Sequence, residues 1–178
     1  MTPAFTVRPL TPADRDWVRR KMVEEWDSEI IFVHGQTFRP ADLPGFAAVA
    51  GDGMIGLLTY RLDADACEIM TINSWRENRG VGSALIEAAR QAAGAALPAP
   101  VPQAQVSLSK GPAGCRRLFL VTTNDNTRAL RFYQKRGFTI CAVRLNVMEQ
   151  ARKVKPEIPP AGADGIPIRD EIELEIFL

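Results

Sequence analysis

Hydrophobic and polar positions alternate with two different periods along the chain. In the N-terminal part, Val18, Met22 and Trp26 recur every four residues, a spacing that predicts a helix with one apolar face packed in the core. Near the C-terminal end, hydrophobic residues alternate with glutamates over 172–176, which predicts a strand with one solvent-exposed face. The two periods together indicate a fold that contains both helices and strands.

The segments between this helix and the C-terminal strand also predict both helices and strands, and their order predicts the fold class. Apolar runs bounded by turn residues predict strands at 5–8, 46–50, 54–61, 67–73, 118–122 and 138–143, and helices at 83–96, at 146–155 and from a cap at 124–126 up to 136. The strand at 67–73 extends the hairpin before it as an antiparallel meander. We therefore expect an α/β fold with a central, mixed, mostly antiparallel sheet flanked by helices.

Three segments follow neither period. We expect 30–44 to be irregular, 97–114 with its four prolines to be a mobile surface loop, and 155–170, also with four prolines, to be an extended C-terminal tail. The chain shows neither an internal repeat nor a second set of elements. Residues 1–178 are thus predicted to form a single domain.

Composition and charge exclude several classes of function. The chain has 178 residues, of which 46% are hydrophobic and 24% charged, the balance of an ordinary globular domain. Its 22 Lys and Arg against 21 Asp and Glu leave a net charge of +1, so we expect no nucleic-acid partner. We expect no membrane span and no signal peptide, and hence a cytoplasmic protein, because the apolar runs are short.

Cysteine and histidine usage narrows the chemistry further. Cys67, Cys115 and Cys141 are widely spaced and form neither a disulfide framework nor a metal-binding CxxC pair. Since His34 is the only histidine, a zinc site or a Ser-His-Asp triad would depend on this one residue. We therefore predict no metal site, and thiols that are inert in a reducing compartment.

The turn between the strand at 67–73 and the next helix carries the strongest functional signal. Gly80 and Gly82 let a ligand approach the backbone where free N–H groups and the helix dipole favour phosphate, and Arg76 and Arg79 add positive charge. The pattern indicates a pyrophosphate-binding turn, although a tight turn with solvated charges fits equally well. It is not the dinucleotide fingerprint, because Leu85 occupies the third glycine position, and it is not a Walker loop.

Two motifs in this frame resemble the GNAT superfamily of acyl-CoA-dependent N-acetyltransferases. The first, Gln/Arg-x-x-Gly-x-Gly/Ala at a helix start, is matched by Gly80 and Gly82, with Glu77 in place of the first Gln or Arg. The second, Asn-x-x-Ala-x-x-aromatic-Tyr-x-x-x-Gly-Phe, is matched at every defining position from Asn126 to Phe138. The resemblance extends from about residue 5 to residue 143 and implies the GNAT fold.

The resemblance also implies roles for individual residues. Glu68 would act as the general base and Tyr133 would protonate the leaving thiolate, and backbone groups of 69–73 would receive the thioester. The other interpretations are a Glu68 paired with a nearby arginine at the surface and a Tyr133 that only packs in the core. The cosubstrate-binding residues implied are Ile69, Met70, Thr71, Ile72, Arg79, Gly80, Val81, Gly82, Ser83, Ala84 and Asn126.

The function implied by the resemblance is N-acetyl transfer. An acetyl group would move from acetyl-CoA, the cosubstrate, to an amine of a small molecule or a protein by direct attack in a ternary complex. Two alternatives stay open: a catalytically silent acyl-CoA-binding sensor, and a transferase acting on aminoacyl-tRNA, against which the net charge of +1 argues. A homodimer formed through the C-terminal strand is compatible with the family.

Overall fold

The computed structural model describes residues 5–51, 53–95, 114–162 and 164–178. The helices are α1 (Arg15–Trp26), α2 (Val81–Gly94), α3 (Thr127–Gln134) and α4 (Met148–Val154). The strands are β1 (Thr6–Pro9), β2 (Ile31–Val33), β3 (Gln36–Phe38), β4 (Gly45–Ala50), β5 (Gly53–Asp63), β6 (Ala66–Ser74), β7 (Arg117–Thr123), β8 (Thr139–Arg144) and β9 (Glu171–Phe177). The loop predicted to be mobile, at 97–114, lies outside the described residues apart from Gly114.

The predicted fold class is confirmed, because the strands form a mostly antiparallel sheet flanked by helices. Each strand and helix that the hydrophobic pattern predicted is present, with ends that differ by a few residues. The described residues form two compact units, which are taken in turn below. The single-domain expectation stays a prediction.

The first unit comprises Met1–Asp16, Asp42–Leu118 and Phe177–Leu178. Its strands lie in the order β1, β4, β5, β6, and each neighbouring pair is antiparallel. A Cβ atom at Gly56 would lie 2.5 Å from Val81 Cγ1 and 3.1 Å from Leu85 Cδ1, so α2 packs closely on the face of β5 to which Gly56 belongs. This close packing fixes the N-terminus of α2 beside the strands.

The N-terminal turn of the first unit is held by the side chain of Asp14. Arg8 donates to both carboxylate oxygens of Asp14 at 2.8 Å, and the backbone N–H of Thr11 donates to Oδ2 at 2.7 Å. These charge-assisted bonds lower the pKa of the Asp14 carboxyl well below its usual range, with the Arg8 contact as the largest cause. The carboxylate is therefore part of the folded structure rather than a surface charge.

The second unit comprises Trp17–Ala41 and Phe119–Ile176, and in it β9 lies between β7 and β8. The predicted C-terminal tail is irregular, but it is tied down by side chains. Arg152 donates to the carbonyls of Pro159 and Ile168 at 2.8 and 2.7 Å, and Asn124 Oδ1 accepts from the backbone N–H of Asp170 at 2.9 Å. Ile168 packs with α4 in an apolar cluster that also contains Phe32 of β2.

The expectation that 30–44 is irregular was wrong, because β2 and β3 form an antiparallel hairpin there. His34 and Gly35 are its two turn residues, and both have positive φ angles, 53° and 74°. Such a pair makes the tight turn that joins short antiparallel strands. Each strand is only three residues long, too short for its hydrophobic pattern to be recognised.

Two predictions about burial were also wrong. Trp26 is 43% exposed, because each four-residue step on a helix turns about 40° past a full turn, so the third member leaves the core face. Glu173, predicted to lie on the exposed face of the C-terminal strand, is only 6% exposed, and its Oε2 accepts from Arg144 Nη2 at 2.5 Å, whereas Glu175 on the same strand is half-buried. Alternation alone does not reveal that Glu173 is covered.

Among the described residues, no helix is long and apolar enough to cross a membrane.

Candidate active site

The turn that leads into α2 has the geometry of an anion-binding loop. Gly80 is the N-cap with φ 79°, a conformation that favours glycine, and a Cβ atom built there would meet no atom of the described residues within 4 Å. The first hydrogen bond of the helix runs from Ala84 N–H to the Gly80 carbonyl at 2.9 Å. The N–H groups of Val81 and Gly82, at the start of the helix, therefore have no acceptor within it.

Positive charge lies beside this turn. Arg76 and Arg79 are both exposed, and within the described part of the chain neither guanidinium forms an ion pair. Glu77, which replaces the Gln or Arg of the family motif, is exposed as well. Free backbone donors, the positive end of the α2 dipole and two arginines together suit a phosphate or pyrophosphate group.

Strand β6 carries a bulge next to the predicted catalytic glutamate. Thr59 pairs with Thr71 and Tyr60 pairs with Ile69, so Met70 is an extra residue with no partner on β5. A bulge leaves its extra residue out of the hydrogen-bond ladder and often lies beside an active site. The stretch 69–72, predicted to receive the thioester, thus contains the one interruption of the ladder between β5 and β6.

Glu68 is neither a surface residue nor a free carboxylate. It is 1% exposed, and its Oε2 accepts a hydrogen bond of 2.6 Å from Arg61 Nε on the neighbouring strand. The two residues are directly opposed in the antiparallel register. The sequence interpretation of an arginine partner was right, and the interpretation of a surface position was wrong.

A second polar pair lies on the same face. The hydroxyls of Thr59 and Thr71 are 2.7 Å apart, and both side chains are buried. Thr59 and Arg61 are two residues apart on β5, so they share a face, whereas Gly56 belongs to the face that α2 covers. The hydroxyl pair and the Arg61–Glu68 pair therefore lie on the face of the sheet opposite α2. Sequence analysis missed Arg61 and Thr59.

The second signature motif folds as helix α3 and the turn after it. Asn126 is the N-cap, and its Oδ1 accepts from Ala129 N–H at 3.1 Å. Tyr133 is 7% exposed and packs edge-on against Phe132 and Phe138, with ring centroids 5.3 and 5.8 Å away. Gly137, with φ 86°, ends the helical segment as the sequence indicated.

The surroundings of the Tyr133 hydroxyl favour its protonated form. Burial raises the pKa of Tyr133 above its usual value of 10, so the phenol is protonated at neutral pH. No hydrogen-bond partner for this hydroxyl is found among the residues that the structure describes. A buried phenol that lacks an internal partner can donate to a ligand.

The predicted site residues fall into two groups. Glu68, the stretch 69–72 and the turn 79–84 belong to the first unit, and Asn126 and Tyr133 belong to the second. The cysteines are free, and burial raises the pKa of Cys67 to about 12. The described residues contain no group of three or more His, Cys, Asp or Glu side chains that could hold a metal ion.

Comparison with known proteins identifies relatives over most of the chain. A family model described as an acetyltransferase (GNAT) domain matches residues 42–140. The uncharacterised protein YdhI of Bacillus subtilis is 41% identical over 150 residues, which cover 84% of this chain and 83% of YdhI. The uncharacterised protein YxbD of the same organism is 35% identical over 171 residues, which cover 96% and 97% of the two chains.

Solved structures share the fold at low sequence identity. An IAA acetyltransferase from Bacillus cereus superposes with a TM-score of 0.66 at 18% identity, over 98% of this chain and 99% of that one. A GNAT family acetyltransferase from Elizabethkingia anophelis, solved with acetyl-CoA bound, superposes with a TM-score of 0.61 at 19% identity over the same shares.

Proposed function

Because the chain belongs to the GNAT acetyltransferase family, we propose that it is an N-acetyltransferase that moves an acetyl group from acetyl-CoA to an amine. The acceptor is a small molecule or a protein, and the amine attacks the thioester directly in a ternary complex. The observation that carries the proposal is the open glycine turn at the start of α2, with its free N–H groups and two exposed arginines.

This turn supports acetyl-CoA as the cosubstrate. Its donors suit the pyrophosphate, and because none of the residues that the structure describes lies within 4 Å of a Cβ built at Gly80, there is room among them for a ligand against the backbone. We assign the backbone of 69–72 to the thioester carbonyl and the pantetheine arm, because the bulge at Met70 interrupts the ladder there. We assign Asn126 to the arm as well, in addition to its role as a helix cap.

The chemistry requires a base first. An aliphatic amine has a pKa near 10, so at neutral pH it must lose a proton before its nitrogen can attack. We propose that Glu68 accepts this proton through a water molecule, since the side chain is 1% exposed and a bulky acceptor cannot contact it directly. The amine nitrogen then forms a bond to the carbonyl carbon, and the backbone N–H groups of the bulge stabilise the oxyanion.

Collapse of the tetrahedral intermediate breaks the carbon–sulfur bond and releases the CoA thiolate. We propose that Tyr133 donates a hydrogen bond and then its proton to the sulfur, and that the phenolate regains a proton, through water, from the nitrogen, which still carries its second proton after the attack. Because the pKa of Tyr133 is raised while that of a thiol is about 8.5, the proton transfer is uphill. The hydroxyl therefore contributes mainly through the hydrogen bond to the developing charge.

The alternative of a silent sensor is disfavoured because a sensor has no need of a buried carboxylate and a protonated phenol at these positions. The proposal keeps the expected reducing, cytoplasmic setting, in which free cysteines are ordinary. A homodimer, which is compatible with the family, is also part of the proposal.

The test is an amine panel with acetyl-CoA and the purified chain, read as the release of free thiol. The panel contains polyamines, amino acids, aminoglycoside-like amines, and peptides with free N-termini or lysines. We expect turnover of at least one class, and a rise in melting temperature with acetyl-CoA that corresponds to about 2.7 kcal/mol at 100 times Kd. Binding without turnover of any amine would support the sensor.

A matched pair of variants tests the binding site. Arg79→Ala removes an exposed cation beside the turn, whereas Arg90→Ala removes a half-exposed cation farther along α2 that pairs with Glu87. We expect only Arg79→Ala to weaken acetyl-CoA binding, and Gly82→Val to abolish it by placing a branched side chain at the phosphates. Equal affinity in all three variants would contradict the assignment of the turn.

A further inference from the structure

We infer that Arg61 is a positioning residue that holds the Glu68 carboxylate in its working orientation, an inference that rests on the proposed role of Glu68 as the base. Arg61 touches neither the cosubstrate nor the acceptor in this role. It acts through its hydrogen bond to Glu68 Oε2.

The geometry of the pair singles out Arg61. The residues are opposed across β5 and β6, Nε and Oε2 are 2.6 Å apart, and the Glu68 side chain is 1% exposed while that of Arg61 is 23% exposed. The contact lies on the sheet face opposite α2, where the other opposed polar pair is Thr59–Thr71.

Stability alone does not account for such a pair. Desolvating two charges offsets most of their attraction, so a buried ion pair is often no more stable than apolar residues of similar size. The contact also determines the orientation of the Glu68 carboxylate. A base that works through a water molecule must point one oxygen at that water, and a misplacement of about 1 Å can lower a rate by about 10²-fold. The strong contact at Oε2 restricts the rotation of the carboxylate and thereby the direction of the other oxygen, Oε1.

A double-mutant cycle tests the inference. The variants are Arg61→Met, Glu68→Gln and the two combined, with kcat, KM for acetyl-CoA and the free energy of unfolding measured for each. We expect Glu68→Gln to lower kcat by about 10²-fold, and Arg61→Met to lower it by at least about tenfold with KM for acetyl-CoA unchanged. The double variant should then have a kcat within about twofold of Glu68→Gln alone, because Arg61 has no carboxylate left to orient.

Two further variants separate positioning from stability. Arg61→Lys keeps the charge and should restore part of the kcat lost in Arg61→Met. Arg144→Met breaks a comparable pair of an arginine with a buried glutamate, in which Arg144 Nη2 and Glu173 Oε2 are 2.5 Å apart. It should lower the free energy of unfolding while leaving kcat within about twofold of the wild type.

The outcomes distinguish this inference from the proposed function. If Glu68→Gln is slow but Arg61→Met keeps wild-type kcat, or if the two losses multiply in the double variant, Arg61 does not position Glu68 and the base assignment survives. If Glu68→Gln itself keeps wild-type kcat, the base assignment fails, and the role of Arg61 fails with it. If Arg61→Met does not fold, Arg61→Lys takes its place as the single variant at this position. The double variant, which carries no buried charge, is still compared with Glu68→Gln alone.

Discussion

Substituting Gly56 by alanine should disturb the acetyl-CoA turn from within the core. The new Cβ would lie 2.5 Å from Val81 Cγ1 and 3.2 Å from the Asn73 carbonyl oxygen, closer than side chains normally approach. Val81 and Leu85 are 1% and 0% exposed, so neither has space to move aside. The first turn of α2 must therefore shift away from β5, and the N–H groups of Val81 and Gly82 must shift with it.

Two effects of opposite sign determine the stability of this variant. Overpacking a core by one methyl group costs about 1–3 kcal/mol. Replacing glycine restricts the unfolded chain and returns about 0.4–1 kcal/mol. The net change therefore lies between about zero and a destabilisation of about 2.6 kcal/mol. Since about 1 kcal/mol shifts the melting temperature of a chain of this size by about 2–4 °C, we expect a decrease of up to about 10 °C.

Gly94→Ala is the matched control, because a Cβ at the last residue of α2 would meet none of the described residues within 4 Å. Alanine in a helix is favoured over glycine by up to about 1 kcal/mol, so this variant should be as stable as the wild type or more so. Calorimetric titration should show acetyl-CoA affinity reduced at least about tenfold, or about 1.4 kcal/mol, in Gly56→Ala and unchanged in Gly94→Ala. A Gly56→Ala protein with wild-type stability and affinity would refute the coupling of this packing contact to the turn.

Two other substitutions have expected outcomes. Tyr133→Phe removes the hydroxyl but keeps the buried ring. The kcat measured by thiol release should therefore fall by roughly 10²-fold, while acetyl-CoA affinity changes by less than about 1.5 kcal/mol. An unchanged kcat would make Tyr133 a packing residue only. The pKa of Asp14 is lowered in the folded state, so its contribution to stability is present above the ordinary carboxyl pKa of about 3.9 and is lost as the pH falls further, through the folded-state pKa. Asp14→Asn should therefore be less stable than the wild type at pH 7, and urea unfolding curves should show a smaller loss of stability in acid; parallel acid dependence would contradict the role of the Arg8 contact.

The parts of the site that sequence analysis predicted best are those in which the backbone itself demands a residue type. Gly80 must be glycine because its φ is 79°, and Asn126 caps α3 because its side chain accepts from Ala129 N–H. Such requirements act within a few residues of the chain, so they can be recognised from the sequence. The positions of helices and strands were predictable for a similar reason, since periodicity is a local property.

The parts that sequence analysis missed depend on contacts between distant segments. The hairpin of β2 and β3 is too short to be stable alone, and it is supported by packing of Phe32 against α4 and by Lys155, whose Nζ donates to the Ile30 carbonyl at 3.1 Å. Burial lowers the pKa of Lys155. Nothing within 30–44 indicates these partners, which lie more than a hundred residues further along the chain.

The Arg61–Glu68 pair depends on one residue of register. The predicted strands, 54–61 and 67–73, would pair residue 61 with residue 67, whereas Asp63 pairs with Ala66 and only Ala64 and Asp65 form the loop. A shift of one residue moves every side chain of a strand to the other face, so the longer turn would have separated the arginine from the glutamate. The bulge at Met70 then adds a second shift, without which Thr71 and Glu68 would lie on opposite faces. The two-residue turn and the bulge therefore place both polar pairs on one face of the sheet. Because the alternation of residues along β6 shows neither of them, it does not reveal the face on which the proposed base, Glu68, lies.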